Sequence, residues 1–255
     1  MTDNGGGARF FLGKPYRFND ICSVFPPTIN DVCTDEFPQY KAMLTLSQED
    51  IEDIFQKEVE DDPSFAVPTP FDFFLGNCYH SKDYRKMAYK TFRFFCHEKI
   101  EILFDMKAIV MGDLEKQVEI ARSTDDLRAN LRMITEDDFF DFQNLIRQAC
   151  GEKPAVPPDP DEDPRIKRIK AKGRYRDKIA AKKNGTSLET LLSSICCMSL
   201  GLTPLNIGEI SYAAAVKLVD RYQAKEKYEL DVSSLLAGAD SKTVKPKYWI
   251  KNDSD

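Results

Sequence analysis

Pro154-Ala-Val-Pro-Pro-Asp-Pro-Asp-Glu-Asp-Pro164 divides the chain. Each proline removes a backbone donor and holds its predecessor out of helical geometry, so the stretch predicts a stiff, acidic linker. Charge then inverts. Arg165, Lys167, Arg168, Lys170, Lys172, Arg174, Arg176, Lys178, Lys182 and Lys183 are opposed only by Asp177, with Ile166, Ile169, Tyr175 and Ile179 interleaved. Asn184-Gly185 is a turn signal, and Thr186-Ser187-Leu188-Glu189 reads as a capping box that opens a helix. The chain therefore reads as three parts: an N-terminal α+β domain over 9–151, a linker that is first proline-rich and acidic and then basic over 152–185, and a small C-terminal helical module with a polar tail over 186–255. The expected class is mainly α with a small β-hairpin in the N-terminal part.

A chain of 255 residues fits one domain plus a smaller module. Hydrophobic residues at 42% and aromatics at 11% are too abundant for a disordered chain. The formal charge of -6 disfavours generic attraction to nucleic acid or to an anionic membrane. No apolar run approaches the roughly 20 residues that cross a bilayer, and the opening Met-Thr-Asp-Asn-Gly-Gly-Gly has no export pattern. The seven cysteines (Cys22, Cys33, Cys78, Cys96, Cys150, Cys196, Cys197) are odd in number and scattered, which predicts reduced, mostly buried thiols.

Upstream of the linker, the first eight residues read as a flexible glycine-rich leader, followed by extended or turn structure around Gly13 and Pro15. Ser47 caps a helix whose buried stripe is Ile51, Ile54 and Phe55. Pro63, Pro68 and Pro70 mark a break before the aromatic patch Phe71, Phe73 and Phe74. Tyr84, Met87, Ala88, Thr91 and Phe95 recur at helical spacing over 81–95. Apolar bursts at 100–104 and 109–111 predict a hairpin. Thr135 opens a helix carrying Phe139, Phe142, Ile146 and Ala149 down one face to Gly151.

Downstream, Leu188, Leu191, Leu192, Ile195, Cys196 and Met198 form the apolar face of a helix that ends at Gly201. Ser211 is placed to cap a second helix with Tyr212, Val216, Leu218, Val219 and Tyr222. A third apolar stretch, Leu230, Val232, Leu235 and Leu236, precedes Gly238. A module of this size is marginal alone and gains from a partner.

Enzymatic signals are weak. Cys78, His80, Cys96 and His97 carry the right atoms for zinc or for a Cys–His nucleophile, but adjacent Cys96 and His97 diverge around a helix and no Cys-x2-Cys unit exists. The acidic clusters lack the glycine-interrupted alternation of a calcium loop, and no phosphate loop or nucleophile elbow is present. The residues thus predict no catalytic site, no metal site and no cofactor.

The stretches Ser194-Ile-Cys-Cys-Met-Ser-Leu-Gly-Leu-Thr-Pro-Leu-Asn-Ile-Gly-Glu-Ile-Ser-Tyr, Asp220-Arg-Tyr-Gln-Ala-Lys-Glu-Lys-Tyr, Leu235-Leu-Ala-Gly-Ala-Asp and Lys245-Pro-Lys-Tyr-Trp-Ile resemble the tail-assembly chaperones and minor tail assembly proteins of long-tailed bacteriophages and prophages. Asp137-Asp-Phe-Phe-Asp-Phe-Gln-Asn-Leu-Ile-Arg is similar to the same class, less specifically. The resemblance implies a non-enzymatic helper in the host cytoplasm that binds and shields a tape-measure protein and promotes assembly of the tail tube, with the tail-tube protein as a further partner and self-association left open. It also implies a short and a long form made by ribosomal frameshifting, for which Lys182-Lys183-Asn184 is the expected slip position. Leu188, Leu192, Ile195, Tyr212, Val216, Leu218 and Trp249 are the candidate contributors to partner binding, on a stripe most of which must be internal core. Two other readings stand beside it: a structural tail or baseplate component, and a nucleic-acid adaptor using 165–183, with Arg165, Lys167, Arg168, Lys170, Arg174 and Arg176 against phosphate.

Overall fold

The computed structural model describes residues 5–62, 64–121, 131–157, 163, 165–166, 169–170, 173, 176, 187–198 and 201–250. They are mainly helical, with a small N-terminal β-hairpin and a three-stranded sheet. Two compact units are present, one of Met1–Glu162 with Ser211–Ala213, the other of Asp163–Ile210 with Ala214–Asp255.

The first unit opens with α1 (Gly5–Phe11), the hairpin β1 (Tyr16–Phe18) and β2 (Cys22–Val24), and the short helix α2 (Ile29–Val32). Then come α3 (Phe37–Thr45), α4 (Gln48–Ile54), α5 (Gln56–Asp61), α6 (Pro70–His80) and α7 (Lys82–Cys96). The strands β3 (Ile100–Leu103) and β4 (Ala108–Met111), helix α8 (Leu114–Ala121), strand β5 (Met133–Ile134) and helix α9 (Glu136–Ala149) complete it.

The core is built from the faces of α3, α6, α7 and α9. Ser81 caps α7 by accepting from the Tyr84 N–H at 3.2 Å, and Ala88, Thr91, Phe92, Phe95 and Cys96 then fall on one buried side. Thr91 is buried without cost because its hydroxyl donates to the Met87 carbonyl at 2.9 Å. At the start of α9 the Asp138 carboxylate accepts from the Thr135 N–H at 3.2 Å and from its hydroxyl at 2.8 Å. Phe139, Phe142, Leu145, Ile146 and Ala149 follow as the buried face. The two faces meet where the Phe92 and Phe142 rings stack with centroids 5.5 Å apart and planes 4° from parallel. Phe18 packs on Phe142 at 5.5 Å, Phe74 on Phe92 at 6.2 Å, and Phe71 on Phe139 at 5.0 Å.

Polar groups of α9 also finish α3. Gln143 donates to the Leu46 carbonyl at 2.9 Å, Arg147 donates to the Thr45 carbonyl, and Lys41 pairs with Glu152. The carbonyls that a helix end leaves without partners are thereby satisfied by side chains about 100 positions away in sequence. Ser211–Ala213 joins this unit from far along the chain: the Tyr212 N–H donates to the Pro27 carbonyl at 2.8 Å, Ser211 bridges Thr28, and the Tyr212 ring stands edge-on to Phe37 at 5.7 Å.

The hairpin expected at 100–111 is present, in antiparallel register Ile100↔Met111 to Leu103↔Ala108. The sequence reading lacked its third strand: β5 pairs with β4 through Ile109↔Ile134 and Val110↔Met133, which leaves β4 buried along its length. Arg132 ties this sheet down, with Nη2 2.6 Å from Glu98 Oε2 and 3.2 Å from the Met111 carbonyl. It leaves no room at Gly112, which has φ +89°, and where an added Cβ would meet Arg132 Nη2 at 2.7 Å.

Three further local expectations change. The part of the glycine-rich leader that is described is helical, because Gly6 presses α1 against α9, with Leu145 and Gln148 at 3.2 and 3.1 Å from the position of a would-be Cβ. Pro70 does not end structure but begins α6 as its first residue, behind Thr69, which accepts from the Asp72 N–H at 3.2 Å. Ile54 is 53% exposed, since α4 stops after Ile54 and Phe55 turns in instead, its ring 5.6 Å from Phe65 and 6.1 Å from Phe73.

Replacing Phe142 by alanine removes the stacked ring and is expected to destabilise the first unit by about 3–5 kcal/mol in a denaturant titration. Gly112→Ala is expected to cost about 1–3 kcal/mol, from positive φ and the collision with Arg132. Wild-type stability in either variant would contradict this account of the core and sheet.

Candidate functional site

Among the described residues, the second unit carries helical positions in the basic segment (165–166, 169–170, 173 and 176), two further helices and a tail. Helix α10 (Leu188–Cys197) is capped by Ser187, whose hydroxyl accepts from the Thr190 N–H at 3.1 Å. With Ser187 as cap, Glu189 falls at the second helical position and not at the third as the expected capping box requires; Thr186 and the expected Asn184-Gly185 turn lie outside the described residues. In α10 only Ile195 is fully buried, while Leu188, Leu191, Leu192, Cys196 and Met198 are half-buried.

A tight turn follows. The Asn206 side chain accepts from the Thr203 N–H at 2.7 Å and donates to the Gly201 carbonyl at 3.1 Å. Held at its tip, Leu205 is 98% exposed. A 3₁₀ turn at Ile207–Glu209 buries Ile207.

Helix α11 (Tyr212–Leu236) is continuous over 25 residues, where a second helix and a separate third apolar stretch were expected. Nothing in 223–232 breaks it, and its alternating Lys and Glu suit a solvated helix. It stops at Gly238 with φ +97°, where the Ala239 N–H reaches back to the Ser234 carbonyl at 3.0 Å. Leu230 and Leu236 are 68% and 84% exposed on it.

The expected contributors to partner binding do not share one setting. Leu188, Leu192, Val216, Leu218 and Trp249 are half-buried in the second unit, Ile195 is core, and Tyr212 belongs to the first unit with its hydroxyl pKa raised by burial. Of the basic segment, Arg165, Lys170 and Arg176 are described, with Ile166 and Ile169 exposed beside them. Lys167, Arg168 and Arg174 lie outside the described residues.

Two of the clefts adjoin the residues discussed above. In the first unit, about 290 Å³ opens between the first turns of α4 and α6, the flank of α9 and residues 155–157. Its walls are mostly apolar, and its polar side chains are in use: Gln143 and Arg147 hold the end of α3, and Asn144 clasps the Ala155 peptide, accepting from its N–H at 2.7 Å and donating to its carbonyl at 3.3 Å. The start of the proline-rich stretch is thus fastened to α9. In the second unit, about 240 Å³ opens between α11 and the tail, lined by Arg221, Ala224, Lys227, Tyr228, Asp231, Lys245, Lys247, Tyr248 and Trp249. Arg221 Nη1 donates to the Trp249 carbonyl at 3.0 Å, and the Tyr228 and Tyr248 rings meet edge-to-face at 5.6 Å.

Most of this lining belongs to the two stretches that carry the resemblance, but only Trp249 was expected to touch a partner. The signal for the rest was present, since Arg221, Ala224, Tyr228 and Asp231 fall on one stripe of a helix and Lys-Pro-Lys-Tyr-Trp sets two cations before two aromatic rings.

The thiol and imidazole candidates are not brought into one site. Cys78 is buried on α6 and burial pushes its thiol up to about 12. Cys96, on α7, is held well above the ordinary thiol range by a hydrogen bond with Cys22 and by burial. His97 caps α7 in the left-handed region at φ 56° and stacks on Phe25 with centroids 4.0 Å apart. His80 stands against Tyr79. Among the described residues no three metal-ligating side chains gather, and no helix is long and apolar enough to cross a membrane.

No family model, no curated protein and no solved structure matches the chain.

Thiol labelling of the native protein is expected to modify Cys33 and Cys197 quickly and Cys196 more slowly. Cys22, Cys78, Cys96 and Cys150 are expected to react only after denaturation, since they are buried and the pKa values of Cys78, Cys96 and Cys150 are raised. Rapid modification of Cys78 or Cys96 in the folded chain would revive a reactive-thiol role.

Proposed function

We propose that the chain is a tail-assembly chaperone that binds and shields a phage tape-measure protein and promotes tail-tube assembly in the host cytoplasm. The proposal rests on the resemblance of residues 194–250, and one structural observation carries it further. The second unit leaves large apolar side chains uncovered on rigid elements, with Leu205 at 98%, Leu236 at 84% and Leu230 at 68% exposure. Scattered exposed leucines are ordinary on a protein surface, but here they sit on a module whose largest aliphatic and aromatic side chains are mostly half-buried. A small helical module of this kind gains stability by packing on another helix.

A tape-measure protein, which is long and helical, presents such faces before the tube encloses it. Shielding it needs binding alone, so no catalytic group or cofactor enters the mechanism. Apolar contact gives affinity, and later displacement by tube subunits needs only that the interface be moderate in size.

Co-expression with the tape-measure protein of the same genome is expected to yield a soluble complex, and Leu205→Asp with Leu236→Asp to weaken it by about tenfold or more. The chain is expected to be absent from purified particles by mass spectrometry. Stoichiometric presence in particles would replace this reading with a structural tail component. Salt-sensitive DNA binding lost on neutralising Arg165, Lys167, Arg168 and Lys170 would replace it with a nucleic-acid adaptor.

A further inference from the structure

We infer that the cleft between α11 and the tail is a docking site for an acidic peptide segment of the partner, in which carboxylates flank one aromatic side chain. The inference rests on the partner-binding character of the proposed function and names the chemistry that the partner brings to this site. Its basis is the cleft's charge, composition and size.

Lys227, Lys245 and Lys247 are exposed and enter no ion pair among the described residues, and Asp231 is the one carboxylate among the lining residues. A concave site with surplus positive charge attracts anions and raises their local concentration. Beside the lysines stand Arg221, Tyr228, Tyr248 and Trp249, the residue types that dominate binding hot spots because they bury much surface at little entropic cost.

The geometry is fixed rather than loose. The Arg221 hydrogen bond to the Trp249 carbonyl and the edge-to-face contact of Tyr228 with Tyr248 hold the tail against the helix. At about 240 Å³ the space takes a single large side chain, not a long ligand. An anchor ring entering it brings its neighbouring carboxylates within reach of the flexible lysines. Nucleic-acid binding needs a groove that follows a run of phosphates, which a cleft of about 240 Å³ does not offer.

Trp249 is the single tryptophan of the chain and reports directly from the site. The full chain is titrated with the capped synthetic peptide Asp-Glu-Phe-Asp-Glu, with the same peptide carrying Gly in place of Phe, with Lys-Lys-Phe-Lys-Lys, and with a single-stranded oligonucleotide. Tryptophan emission is expected to shift saturably with the first peptide only, more weakly at high salt. The triple variant Lys227→Ala, Lys245→Ala, Lys247→Ala is expected to lose about tenfold in affinity while its circular dichroism is unchanged. No shift with the first peptide, an equal response to the lysine peptide, or tighter binding of the oligonucleotide would overturn the assignment.

The same triple variant in the tape-measure co-purification separates the two proposals. Capture by the wild type and loss in the variant supports both. Capture by both proteins leaves the chaperone reading standing and removes this cleft from it. Failure of the wild type to capture removes the chaperone reading, and the peptide titration then decides the cleft alone.

Discussion

Phe92 and Phe142 lie parallel and offset in the core of the first unit, their centroids 5.5 Å apart, and α3, α6 and the β1–β2 hairpin pack around that contact. The two rings link the buried faces of α7 and α9 across elements that pack against both helices, and α6 and the β1–β2 hairpin deliver Phe74 and Phe18 onto the same pair. Burial of phenylalanine contributes about 1.5–3 kcal/mol per side chain, so this cluster is the largest local source of stability. Around it, polar groups close the ends of the elements: Gln143 and Arg147 on the carbonyls of α3, Arg132 on the last turn of the sheet.

The second unit is organised on a different balance. Among its described residues Ile195, Ile207, Ala214 and Ala215 are the buried apolar ones, and the larger side chains described stay half-buried or exposed. Hydrogen-bonded local devices, the Ser187 cap, the Thr203–Asn206 turn and the Gly238 stop, set its shape where a large core is lacking. Such an element keeps apolar and charged surface available for association while remaining ordered, which suits a role in binding.

Legibility in the sequence followed the range of the interactions. The starts of α4 and α9 were readable because a hydroxyl residue and an acid three residues on mark them within one turn, and α7 was readable from the helical spacing of its apolar residues. The β3–β4 hairpin was readable from two apolar bursts. Strand β5, two residues long, exists only because β4 is there to pair with, and nothing local announces it. Gly6 and Pro70 misled for a related reason: their usual meanings are flexibility and interruption, whereas here one permits a close helix contact and the other starts a helix. The basic and aromatic lining of the second cleft is split between a helix and a tail some twenty residues apart, and only their convergence makes it a site.

Ser211–Ala213 is synthesised after everything else that builds the first unit, yet the Pro27 carbonyl and the Phe37 ring find their partners there. The last contacts of the first unit are therefore supplied by a tripeptide translated after the whole proline-rich and basic stretch, so a chain cut before it would lack them.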